Sequence, residues 1–155
     1  MPIILFVDRN PVTLSDKKFE SLLLQTHTLI KAEIERKKIG PVNIFYDFLS
    51  EEVTKEIEKS MYGILITHLP QPYEDSLKKI KWVIENYSFT KIIVFTGASV
   101  DADIILRAGA KYVLRKDDDP NANKQKVVNA VENVVYGDSP SSFFARGLFD
   151  HFSKG

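Results

Sequence analysis

The chain has 155 residues, 44% of them hydrophobic, which is enough for one domain with a sizeable core and too few for two ordinary ones. Lys plus Arg and Asp plus Glu both number 21, so no long-range field draws the chain to nucleic acid or to an anionic membrane. The absence of cysteine excludes disulfides, thiolate metal sites and thiol nucleophiles and fits a reducing compartment, so the expected location is the cytoplasm.

In chain order, the first element is the run Ile3-Ile4-Leu5-Phe6-Val7. It is short, has no basic flank and meets Asp8 at once, so it reads as a buried strand and not as a signal peptide. No later segment approaches the roughly 18 continuous apolar residues of a membrane span. Residues 11–40 leave room for a long helix, about 35 to 40 Å at 1.5 Å per residue, with Leu22, Leu23, Leu29, Ile30 and Ile34 as its apolar set. Within it Gln25-Thr26-His27-Thr28 is a poor helix former and predicts a kink or break. His27, like His151 in the tail, adds no metal-ligand spacing. A second apolar run covers residues 42–46. It is followed by Glu51, Glu52, Glu56 and Glu58 interleaved with Lys55 and Lys59, the pattern of a solvated helix face.

The third run, Gly63-Ile64-Leu65-Ile66-Thr67, delivers His68, and a helix carrying Leu77, Ile80, Lys81, Trp82 and Ile84 comes next. Two further runs, at residues 91–96 and 111–114, precede a helix over residues 124–136. The intervening Asp117-Asp118-Asp119-Pro120 reads as a solvated turn. Continuous apolar runs mark strands buried on both faces. Strand and helix in alternation predict parallel βαβ units, hence a flavodoxin-like α/β sandwich of three layers with helices on both faces of a five-stranded sheet. Residues 1–137 form this domain. After the turn-rich boundary Gly137-Asp138-Ser139-Pro140, residues 138–155 form a tail with Phe143, Phe144, Leu148, Phe149 and Phe152, packed on the domain or at a partner interface.

In such sheets chemistry gathers at the carboxyl ends of the strands, here Asp8-Arg9, Asp47, His68, Thr96-Gly97 and Lys116. The chain has no Gly-x-Gly-x-x-Gly after the first strand, no Walker loop and no nucleophile elbow.

Three segments resemble the receiver domain of two-component response regulators, and the resemblance spans roughly residues 3–136. Ala108-Gly109-Ala110-Lys111-Tyr112-Val113-Leu114-Arg115-Lys116 resembles the small-residue turn and last strand ending in a lysine. Ile92-Ile93-Val94-Phe95-Thr96-Gly97-Ala98 resembles the fourth strand with its terminal threonine. Ile3-Ile4-Leu5-Phe6-Val7-Asp8-Arg9-Asn10-Pro11 resembles the first strand, which in receivers ends in acids that hold magnesium. The resemblance implies strand order 2-1-3-4-5, with Lys116 and Thr96 at the phosphoryl group.

Four departures qualify it. Of the acids only Asp8 remains, and Arg9 takes the second place, where it either pairs with Asp8 in the metal's stead or points to solvent. Asp117 replaces a proline. Val113 falls where an aromatic switch residue belongs, with Tyr112 one place earlier. Aligning Pro72 and Asp75-Ser76-Leu77 with the receiver turn puts His68 at the phosphoacceptor position, and a register anchored on Pro70 puts Ile66 there. Neither carries an acceptor carboxylate.

The expectation is therefore a pseudo-receiver, not an enzyme, with no cofactor and no metal. Asp8, Arg9, His68, Thr96 and Lys116 would form a vestigial phosphorylation pocket or a ligand site. The expected partner is a signalling protein or a second copy of the chain, engaged by the fourth helix, fifth strand and fifth helix, without direct contact to nucleic acid or membrane. The alternative is a flavodoxin-like sensor that binds a small anionic or phosphate-bearing ligand through Arg9, His68, Thr96 and Lys116. A third reading makes His68 a general base near Asp8.

Overall fold

A computed structural model describes residues 2–11, 14–46, 51–70 and 72–137. Five strands alternate with five helices: β1 (Ile4–Val7), α1 (Lys17–Arg36), β2 (Val42–Phe45), α2 (Glu51–Ser60), β3 (Ile64–Thr67), α3 (Tyr73–Asn86), β4 (Lys91–Thr96), α4 (Ala102–Ala108), β5 (Tyr112–Arg115) and α5 (Pro120–Tyr136). All strand pairs are parallel, in the order β2-β1-β3-β4-β5. This is the order and architecture expected from the sequence.

Alternation along each strand builds two cores. Ile4, Phe6, Ile64, Ile66, Ile93, Phe95 and Leu114 pack with Ile30 and Ile34 of α1 and Val127, Val128 and Val131 of α5. Leu5, Val7, Leu65, Ile92 and Val94 face the other way, onto Val53 and Ile57 of α2, Ile80 and Val83 of α3 and Ile105 of α4. The sheet is thus apolar on both faces, which is why its strands carry unbroken apolar runs.

Several local expectations change. The stretch at Gln25-Thr26-His27-Thr28 does not break α1, which continues for 20 residues. The Thr26 and Thr28 hydroxyls donate to the carbonyls of Leu22 and Leu24, one turn back, and burial of Thr26 and His27 holds the turn together. At the other end α5 begins at Pro120, not Lys124. Asp119 caps it by accepting from the N–H of Asn121, and proline at the first helical position forfeits only an N–H that no helical carbonyl could take. The acidic run before it is therefore a built turn: Asp117 Oδ1 accepts from the N–H of Asp119, and the Asn123 amide brackets Asp117 at both its N–H and its carbonyl.

Glu56 is not simply solvated. It accepts from the Tyr62 hydroxyl at 3.0 Å, and Tyr62 in turn accepts from Asn43 at 2.8 Å, which ties α2 to the edge strand. Trp82 lies on the outer side of α3, 40% exposed. Gly109 ends α4 at φ +120, and a Cβ there would come within 2.1 Å of the Ile84 Cδ1, so the tight α4–β5 connection requires glycine. The tail, residues 138–155, and Asp47 lie outside the described residues.

Candidate functional site: a buried carboxylate between a histidine and a lysine

The alternation that turns Ile4 and Phe6 toward α1 and α5 carries on to Asp8, just past the end of β1. Asp8 is fully buried. A carboxylate so placed is costly unless it is paired and hydrogen-bonded. Here three groups meet it: His27 Nε2 at 2.9 Å from Oδ2, Lys116 Nζ at 2.7 Å from Oδ1, and the backbone N–H of Arg9 at 2.8 Å from Oδ1. Burial pushes the Asp8 carboxyl up, but the hydrogen bond from His27 and the charges of Lys116 and His27 outweigh it and hold the group down at about 2. With Asp8 ionised, His27 Nε2 must carry the hydrogen it donates.

Each partner comes from a different part of the fold. His27 lies about one helical turn from Leu23 and from Ile30 and two from Ile34, on the stripe of α1 that faces the sheet. Its ring meets Phe6 edge-on at 5.2 Å and stacks on Tyr46 at 5.8 Å, while Phe6 meets Phe95 at 6.3 Å. Its Nδ1 is buried with no hydrogen-bond partner among the described residues. Lys116 follows β5, where its N–H donates to the Thr96 carbonyl at 2.9 Å and its ammonium lies 5.5 Å from the centre of the Phe95 ring.

Of the residues singled out in the sequence, Asp8 and Lys116 are brought into direct contact. His68 comes alongside: its N–H donates to the Val7 carbonyl at 3.2 Å, in the row next to the Val7–Thr67 pair. Burial, ahead of the attraction of Asp8 and the repulsion of Lys116, Arg9 and His27, holds its imidazole down at about 4. It is therefore neutral at pH 7. Thr96 is buried, and its hydroxyl accepts from the N–H of Ala98 at 3.2 Å. Arg9 is exposed and reaches Asp8 only through its backbone. The guanidinium does not take the place of a metal's charge; Lys116 supplies the positive partner of Asp8, and His27 adds a hydrogen bond.

His27 is the residue that the sequence reading passed over. Its signal was position: Leu23, His27, Ile30 and Ile34 repeat at helical spacing, so a polar ring was being carried into the core and needed a partner there. Among the described residues no group of three His, Cys, Asp or Glu side chains converges in a way that could hold a metal ion. With both Asp8 oxygens engaged and the carboxylate closed from solvent, the described donor set does not fit a hard divalent cation, which wants several accessible oxygens.

A parallel 2-1-3-4-5 sheet with this helix arrangement defines the flavodoxin-like class. Within it, the chain has the fold of response-regulator receiver domains. Neither a protein-family model nor a curated protein matches the sequence. Solved structures do. The signal receiver domain of a putative LuxO repressor protein from Vibrio parahaemolyticus is 25% identical, with 88% of this chain and 95% of that one covered at a TM-score of 0.59. The beryllofluoride-activated NtrC4 receiver domain dimer is 24% identical, covers 86% and 99%, and has a TM-score of 0.60. The response regulator TrrA from Thermotoga maritima, solved in complex with Mg(2+)-BeF, is 21% identical, covers 84% and 99%, and has a TM-score of 0.57.

Proposed function

We propose that this chain is a signalling pseudo-receiver that acts through protein–protein contact and not through aspartyl phosphorylation, and that it is not an enzyme. One observation carries the reading. β3 ends in Thr67 with His68 next in the chain, and the carboxylate that remains beside it, Asp8, is already held by His27 and Lys116. An imidazole cannot form an acyl phosphate, and a buried carboxylate bound on both oxygens is a poor nucleophile. Lys116, the cation that would meet a phosphoryl group, neutralises Asp8 instead. The same commitment leaves an anion sensor short of its main charge, and the neutral, half-enclosed His68 adds none.

The signalling state would then be set by what the domain binds. α4, β5 and α5 offer one surface for it, with Ile104 at 48%, Leu106 at 41% and Tyr136 at 47% exposure. The dimeric NtrC4 neighbour supports pairing through protein contact as a mode open to this fold. Among the described residues no helix is long and apolar enough to cross a membrane, and we place the protein in the cytoplasm on its lack of cysteine.

The test is an amide NMR titration with magnesium and beryllofluoride together, followed by a phosphate series, observing Asp8, His68, Thr96 and Lys116. Unchanged spectra throughout are expected. A saturable response that requires magnesium would refute the reading, and shifts with phosphate alone would restore the sensor.

A further inference from the structure

β2 is an edge strand, and the fold covers only part of its open side. The carbonyls of Pro41 and Phe45 accept from the N–H groups of Ile4 and Asp8, toward β1. Backbone groups alternate along a strand, so those of Val42 and Ile44 point the other way, off the sheet. Val42 meets substitutes for a neighbouring strand: Lys31 Nζ donates to its carbonyl at 2.6 Å, and Glu35 Oε2 accepts from its N–H at 3.1 Å. Lys31 and Glu35 also pair with each other at 2.9 Å, so this clip carries little net charge. It stops at Val42. Among the described residues nothing does the same for Ile44, half-buried one pleat further on.

An open groove of about 470 Å³ runs along the same edge, with Lys31 on the α1 side, Glu56 on the α2 side and Val42, Asn43, Ile44 and Phe45 between them. Its two walls differ in charge. Lys31 is balanced by Glu35, whereas Glu56 is bonded by the hydroxyls of Ser60 and Tyr62, both at 3.0 Å, and neither offsets its carboxylate. An unpaired edge beside a groove accepts an extended chain as one more strand, about 4.8 Å away. The side chains of that strand would alternate as those of β2 do. One set would lie beside Ile44, which packs toward the α1 core, and suits apolar residues. The other would lie beside Asn43 and Phe45, on the side of Glu56, and suits a cation. A second copy fits less well, because edge strands pair symmetrically only when antiparallel, which brings both Glu56 carboxylates to one side of the joint sheet. On the reading that the chain works by protein contact, we propose that the open edge of β2 binds an extended segment of the partner protein, alternating apolar and basic residues, as a sixth strand.

The probe is a blocked heptapeptide alternating valine and arginine, titrated into the isotope-labelled full-length chain and followed by amide NMR. Saturable shifts should centre on Ile44 and Glu56, and amide exchange at Ile44 should slow about ten-fold in the complex as its N–H gains a partner. Glu56→Gln, which keeps an acceptor for Tyr62, should weaken the peptide about five-fold. The same peptide N-methylated at alternate amides keeps its charge but cannot form the ladder, and should not bind. Absence of saturable shifts at Ile44 overturns the proposal, as does equal binding of the N-methylated peptide, which marks charge attraction alone. Equal binding of a valine–glutamate peptide, or unchanged affinity in Glu56→Gln, overturns the basic partner. Ile44 shifts that grow with the chain's own concentration, without peptide, overturn it in favour of a second copy. Neither magnesium nor beryllofluoride is present, so these outcomes are separate from those that decide phosphorylation.

Discussion

Replacing Lys116 by methionine tests the central pair most directly, because it keeps the length of the side chain and removes only the charge. The wild-type pair is enclosed, with Asp8 at 0% and Lys116 at 13% side-chain exposure, so solvent screens it little. Losing the ammonium leaves the carboxylate with His27 and one backbone N–H in a site that water does not reach. Breaking a buried pair in this way costs about 3 to 5 kcal/mol, against about 0 to 1 kcal/mol for an exposed pair such as Lys17–Glu20, which serves as the control through Lys17→Ala. The pH dependence supplies a second reading. Asp8 is held near 2 in the folded protein against 3.8 ordinarily, so its contribution is present above about pH 4 and is lost as the pH falls toward 2; this difference corresponds to about 2 kcal/mol. In Lys116→Met the folded carboxyl moves upward, and acid unfolding begins at higher pH.

The assay is urea unfolding at pH 7 followed by far-UV circular dichroism, repeated at steps down to pH 3. Lys116→Met, Asp8→Asn and the double variant together close a mutant cycle. The double should cost less than the sum of the singles by roughly 2 kcal/mol, since neither orphaned charge survives in it. A cost below about 1 kcal/mol for Lys116→Met, with no coupling in the cycle, would refute the argument that the pocket is closed by this pair.

Three further outcomes follow from other residues. His68 is held near 4 against 6.5 ordinarily, so the unfolded chain takes up that proton first; stability is fully present above pH 6.5 and declines as the pH drops toward 4, and His68→Gln should flatten the decline in stability measurements across that range. Gly109→Ala forces a side chain into a left-handed conformation and against Ile84, and should cost about 2 to 4 kcal/mol in urea unfolding, part of which Ile84→Ala recovers in the double variant. Both amide atoms of Asn133 are buried on α5 without a partner among the described residues, so Asn133→Leu should raise stability by about 1 to 2 kcal/mol, read as a higher unfolding midpoint.

The central strands were legible because a sheet covered on both faces leaves few polar positions within them, and their order followed from the resemblance to receiver domains. Ile64 to Thr67 and Ile92 to Thr96 are buried at every residue, and that continuity survives in one dimension. Asp8 and Lys116 were legible for a related reason, as polar groups delivered at strand ends beside an apolar core. His27 was not, because propensity was read before position. Two threonines and a histidine in a row weaken an isolated helix, yet here the hydroxyls bond back along the helix and the ring finds a carboxylate that lies 19 residues earlier in the chain. Arg9 went undecided for the opposite reason. Beyond Asp8, whose N–H still bonds the Phe45 carbonyl, the alternation no longer dictates which way a side chain turns, and solvent claimed it. The start of α5 was placed late because Asp117-Asp118-Asp119-Pro120 was read as a solvated turn, whereas the Asp119 cap makes Pro120 the first residue of the helix.

The Lys116–Asp8 contact joins residues 108 apart in sequence, linking the first strand to the loop after the last. Contacts between such distant residues close late in folding, after local helices and neighbouring strands have formed. Their loss falls mainly on the unfolding rate and leaves the folding rate nearly untouched. The clasp thus governs how long the domain, once folded, stays closed. On the proposed reading, in which the signal is carried by contact and not by a labile phosphate, that lifetime would set the duration of the message.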